Sequence, residues 1–155
     1  MKPFFLLLMV CGSLQAQSPP NAGFIDPTGT YILKGFVDKN QIMGQYGEIR
    51  IKMLSHEALA LCFFINSGYP DYQTGAFVDT IPYKEDNLAL AKPGPLADCR
   101  ILFCFTPKAL QTSLMYTDPA SNCGFPKGVL VPAYFYKYSS AVPIIQDLSK
   151  HGLGP

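Results

Sequence analysis

The chain has 155 residues, 48% of them hydrophobic and only 15% charged, with twelve Lys and Arg against eleven Asp and Glu. That length suits a single domain, and an apolar share this large excludes a disordered chain. Charge is balanced and forms neither a basic nor an acidic block, so binding to nucleic acid or to anionic lipid has no electrostatic source.

Residues 1–16 read as a secretory signal peptide. Lys2 supplies the positive charge, Phe4 to Val10 form an unbroken apolar run, and the small polar stretch GSLQAQ follows. The run is shorter than the roughly 20 apolar residues a spanning helix needs, and no later stretch reaches that length, so no integral membrane segment is expected. Cleavage after Ala16 makes Gln17 the first residue, although Leu14 is large for the third position back. The rival reading is a lipoprotein acylated at Cys11; it needs a small residue before the cysteine, and Val10 is not small. Removing 16 residues leaves 139 with no net formal charge. The expected location is the periplasm or outside the cell, and recognition there has to come from shape, aromatic contact and local charge.

Residues 17–28 carry three prolines and read as an extended lead-in. Residues 29–140 then hold eight segments of strand length. The first is Gly29 to Phe36. The second, Tyr46 to Leu54, sets Ile49, Ile51 and Met53 on one face against Glu48, Arg50 and Lys52 on the other. The third, Glu57 to Ile65, is apolar on both faces, so some other segment is expected to cover its second face. Thr74 to Ile81, Asn87 to Lys92, Asp98 to Thr106 and Leu110 to Thr117 follow, parted by turn chemistry such as Pro93-Gly94-Pro95. The eighth, Val129 to Tyr138, contains Pro132, which argues for an edge, a bulge or a late start at Ala133. Residues 141–155 form a tail without strong pattern. Short strands at near-regular spacing favour an all-β fold: a roughly eight-stranded antiparallel up-and-down barrel closed by first and last strands, with a β-sandwich as runner-up.

Four cysteines remain after cleavage, an even number that suits disulfides in an exported chain. Cys99 and Cys104 fall on opposite faces of CRILFCF, so they should not bond each other. The preferred pair is Cys99 with Cys123, leaving Cys62 and Cys104 as a second bridge or as two buried thiols. No CxxC, HxxxH or HExxH pattern is present, and no metal or cofactor is expected.

Catalytic patterns are missing as well. There is no GxSxG elbow and no P-loop; His56-Glu57 reads as a solvated turn pair, and His151 lies in a Gly-rich tail. Asp71, Asp79, Glu85, Asp86 and Asp118 could furnish the two carboxylates of a glycosidase, but nothing in their spacing requires it. Aromatic residues carry more information. Tyr69-Pro70-Asp71-Tyr72 sets two tyrosines on a short loop, and Tyr69, Asp71 and Tyr72 form the candidate binding surface. Tyr134, Tyr136 and Tyr138 alternate along the last strand and read as barrel wall packed on the core or the tail.

The segments GTYILKG, YGEIRIK, DCRILFCF, YTDPASNCGFPKGV and AYFYKY, set behind a signal peptide, resemble the small exported β-barrel proteins of Gram-negative bacteria. In layout they are similar to the periplasmic lysozyme inhibitors. The resemblance implies a barrel that binds a hydrolase and assigns no residue roles. Gly29-Thr30-Tyr31 also matches the Gly-x-aromatic start of lipocalin-like proteins. The expected function is an exported, non-catalytic binding protein with a protein partner, such as an inhibitor of a cell-wall hydrolase. The alternative is a lipocalin-like carrier of a small apolar ligand; a hydrolase working through carboxylates ranks third.

Overall fold

A computed structural model of the chain describes residues 23–94, 99–115, 119–147 and 149. The signal segment 1–16 with Cys11, residues 17–22 of the lead-in, Asp118 and His151 lie outside the described residues.

The fold is all-β. Ten strands follow in chain order: β1 (Gly29–Leu33), β2 (Phe36–Asp38), β3 (Gln41–Met43), β4 (Tyr46–Ser55), β5 (Ala58–Asn66), β6 (Thr74–Pro82), β7 (Leu88–Ala91), β8 (Arg100–Phe105), β9 (Ala109–Met115) and β10 (Ala133–Ser139). Eight of them make one antiparallel sheet in the order β6-β5-β4-β1-β10-β9-β8-β7, with β2 and β3 as a separate two-stranded sheet. First and last strands pair, Tyr31 with Lys137 and Ile32 with Tyr136, as the up-and-down topology requires. The barrel is nearly closed. Its seam lies between β6 and β7, where an isolated bridge joins Tyr83, just past β6, to Ala89.

Alternation built this shape. Ile49, Ile51, Leu59, Leu61, Phe63 and Ile65 point inward and are fully buried. They meet Tyr31, Phe103, Leu110 and Phe135 from the other half of the sheet. Phe63 sits at the centre, within 5.1–6.4 Å of the rings of Phe77, Phe103, Phe125 and Phe135. Each such buried ring contributes about 2–3 kcal/mol by removal from water. Ala89 and Ala91, small enough to leave a cavity, are instead packed into this same core.

One element differs from the sequence reading, and one of its open alternatives is selected. Residues 36–43 fold as the β2–β3 hairpin, whose turn residues Lys39 and Asn40 adopt φ of 46° and 64°. That left-handed pair is the geometry a two-residue hairpin turn needs, and Asn tolerates it well. The eighth strand starts at Ala133, after Pro132, as its missing N–H demands.

The second face of β5 is covered by the tail. Cys62 and Phe64 pack with Tyr46, Ala76 and Ile145 on the outside of the barrel, and Arg50 Nη1 donates to the Ile144 carbonyl at 3.4 Å. Residues 23–28 cross the short-turn end of the barrel. Asn87 Oδ1 accepts from Ile25 N at 2.9 Å, Tyr83 Oη donates to the Ile25 carbonyl at 2.7 Å, and Tyr31 Oη donates to the Pro27 carbonyl at 2.8 Å. Burial raises both phenols, Tyr83 to about 12, with the charge of Asp26 adding to it. Above pH 10 the unfolded chain therefore loses protons that the folded chain retains, and stability falls as the pH rises from 10 towards 12. Urea midpoints across this range should fall steeply for the native protein and less steeply for Tyr83→Phe.

Candidate functional site

Antiparallel order sends the short turns, at residues 56–57, 83–87 and 106–108, to one end of the barrel. The β2–β3 hairpin and residues 67–73, 92–94 and 119–132 gather at the other. Tyr69, Asp71 and Tyr72 stand at this long-loop end. Their loop is held by the side chain of Asn66, itself buried. Asn66 Nδ2 donates to the Tyr72 carbonyl and to Thr74 Oγ1, both at 2.9 Å, while its Oδ1 accepts from Gly68 N at 2.8 Å.

The loop is also joined to the hairpin. Tyr69 N donates to the Ile42 carbonyl at 2.8 Å, and Ile42 N donates to Tyr72 Oη at 3.3 Å. Gly68, at φ 74°, lies so close to the hairpin that a Cβ there would stand 2.1 Å from the Gly44 carbonyl oxygen. The result is a loop with few conformational choices left. It presents Tyr69 at 43% exposure, with Asp71 exposed beside it and the two tyrosine rings edge to face at 6.4 Å. Tyr72 is half-buried and supports Tyr69 more than it faces solvent.

Cys99 and Cys123 form a disulfide, with Cα atoms 5.2 Å apart. The bridge pins the turn Pro119–Gly124 to the start of β8 and so seats Phe125 at the upper part of the seam. A Cβ on Gly75 of β6 would stand 2.4 Å from the Phe125 ring; the glycine leaves room for that ring beside Phe63 and Phe77.

The second bridge, Cys62 with Cys104, is not formed. Both are free: Cys62 is buried beneath the tail on β5, and Cys104 is exposed on β8. These strands lie on different halves of the sheet, with β4, β1, β10 and β9 between them. Burial raises the Cys62 thiol. A disulfide reagent at pH 8 should therefore modify Cys104 within seconds to minutes and Cys62 far more slowly. Truncation after Ala141 should make the second thiol fast.

The acidic and histidine candidates are scattered. Asp71 is at the long-loop end, Glu85 and Asp86 are in the opposite turn, and Asp79 lies on the inward row of β6 beside the seam. His56 is exposed in the β4–β5 turn, with its ring 4.9 Å from that of Phe24. Among the described residues no group of three His, Cys, Asp or Glu side chains could hold a metal ion.

The tyrosine stripe departs from its expected role as packed wall. Tyr134, Tyr136 and Tyr138 face solvent, the last two at 67% and 71% exposure. Phe135 takes the inward row, and the tail crosses β4 and β5 rather than β10. Sequence reading also missed exposed apolar residues of the hairpin, Phe36 and Val37. The dipeptide Lys39-Asn40 between two short apolar stretches was the signal for it. No protein-family model matches the chain, and no curated protein or solved structure matches it.

Proposed function

We propose that this chain is an exported, non-catalytic binding protein that engages a protein partner through the Tyr69-Asp71-Tyr72 loop and the neighbouring hairpin, and that the partner is a cell-wall hydrolase. The observation that carries this reading is the fastening of the loop. Asn66, Gly68 and Ile42 hold it from three sides while Tyr69 and Asp71 project. A segment ordered before contact loses little entropy on binding, and Tyr is enriched among residues that dominate interfaces. A projecting, stiff loop is complementary to the open cleft of an enzyme that accepts a polymer. The disulfide is compatible with export, where such bridges persist.

A carrier function inside the barrel finds less support, because aromatic and aliphatic side chains occupy the interior.

The test is capture and inhibition. Immobilised protein is offered lysozymes and envelope hydrolases, and lysis of peptidoglycan is followed with and without it. Stoichiometric inhibition is expected, weakened tenfold or more by Tyr69→Ala with Tyr72→Ala. Failure to capture any hydrolase, together with a double variant that changes nothing measurable, removes the reading.

A further inference from the structure

The outer wall of the barrel carries a groove that the loop reading does not use. The hairpin stands off the sheet there, and the space beneath it is lined by Ile32, Val37, Ile42, Tyr46 and Phe64, with a volume of about 340 Å³. That is the lower end of the range for small-molecule sites, about 300–1,000 Å³. On the other side of Ile32 a second hollow of about 350 Å³ runs along Tyr136 and Tyr138. Ile32, Leu33 and Lys34 line both, so the two form one lane across the outside of β10, β1, β4 and β5.

Charge along this lane is one-sided. Its carboxylate, Glu48, is neutralised by an ion pair with Arg50. Lys34 stands exposed where the two hollows meet and has no carboxylate partner among the described residues. An apolar trough with an uncompensated ammonium at its middle is complementary to an apolar body with one negative end. The aliphatic character of the wall is already in use next door, where the tail packs Ile145 against the Cys62 and Phe64 cluster.

We propose that this outer-wall groove binds a free single-chain carboxylate amphiphile, its alkyl chain under the hairpin against Ile32, Ile42 and Phe64 and its carboxylate on Lys34. Burial of each methylene supports such a ligand, and the ammonium selects the sign of its head. The site is outside the barrel and shares its hairpin wall with the proposed partner surface, but the argument for it does not rest on that reading.

The experiment is a titration of the purified protein with dodecanoate below its micelle concentration, followed by amide NMR. A parallel titration uses dodecyltrimethylammonium. Expected are saturable binding of dodecanoate with shifts gathered at Ile32, Val37, Ile42 and Phe64, and weaker binding of the cationic probe. Lys34→Glu should weaken dodecanoate about tenfold. Val37→Glu, which sets a carboxylate beside Ile42 in the groove wall, should weaken it as well. Both positions are exposed, so both variants keep the fold. No saturation, shifts centred on the barrel interior or on Tyr69, equal affinity for the two probes, or unchanged affinity in Lys34→Glu would each overturn the proposal.

Discussion

Replacing Cys99 and Cys123 together by Ser should lower the unfolding free energy by about 3 kcal/mol, read as a drop in urea midpoint at neutral pH. The bridge spans 24 residues, and chain-entropy estimates for a loop of that length give this magnitude. The structure adds a second consequence. The bridge holds the turn that seats Phe125 against Gly75, so its loss frees the ring that fills the upper seam. Phe125→Ala should cost about 2–3 kcal/mol in the bridged protein and distinctly less in the Ser–Ser variant, because in the latter the ring is already loosened. Simple additivity of the two changes would show that the bridge acts on the unfolded chain alone.

Asn66→Ala should be the most damaging single change at the long-loop end, costing about 2–3 kcal/mol. It deletes three hydrogen bonds and leaves the Gly68 N–H and the Tyr72 carbonyl without their partner. Gly68→Ala should act from the other side, since its Cβ would collide with the Gly44 carbonyl and the backbone is at φ 74°. In both variants hydrogen exchange should accelerate at Tyr69 and Ile42 before it does in β4 and β5, since these amides join loop to hairpin. Capture of a hydrolase should decline in step. A variant that loses stability but keeps protection at those two amides would separate the loop from the Asn66 clamp.

Alternation made most of the barrel legible in advance. Strands with a clean period of two, such as Tyr46–Ser55, were placed to within a residue, and the pairing of first with last strand followed from sequential topology. The opposed faces of Cys99 and Cys104 excluded a bond between those two, and the preferred Cys99–Cys123 pair is the one that forms. Most of what escaped was set by tertiary choices, the hairpin with its Lys39-Asn40 turn excepted. Which half of the outer wall the tail would cross decided that Cys62 is covered and that Tyr136 is not, and nothing in Val142–Asp147 announces it. The hairpin was missed because its strands are three residues long and only half-buried or exposed, so no hydrophobic alternation marks them. At the candidate site, Tyr69, Asp71 and Tyr72 were readable as loop residues. The clamp through Asn66 was not, because its role depends on the chain returning six to eight residues later.

The place of β1 in the sheet bears on biogenesis. It lies between β4 and β10, so one of its two hydrogen-bonding partners is the last strand to be made. A nascent chain that ends before Ala133 can form hairpins, but it leaves Tyr31 without the wall that encloses it. Completion waits for nearly the whole polypeptide, and topologies dominated by such distant pairings fold slowly. Under the export proposed above, that delay would keep the chain unfolded for passage, because the order of its strands postpones the final structure until almost all of it has been made.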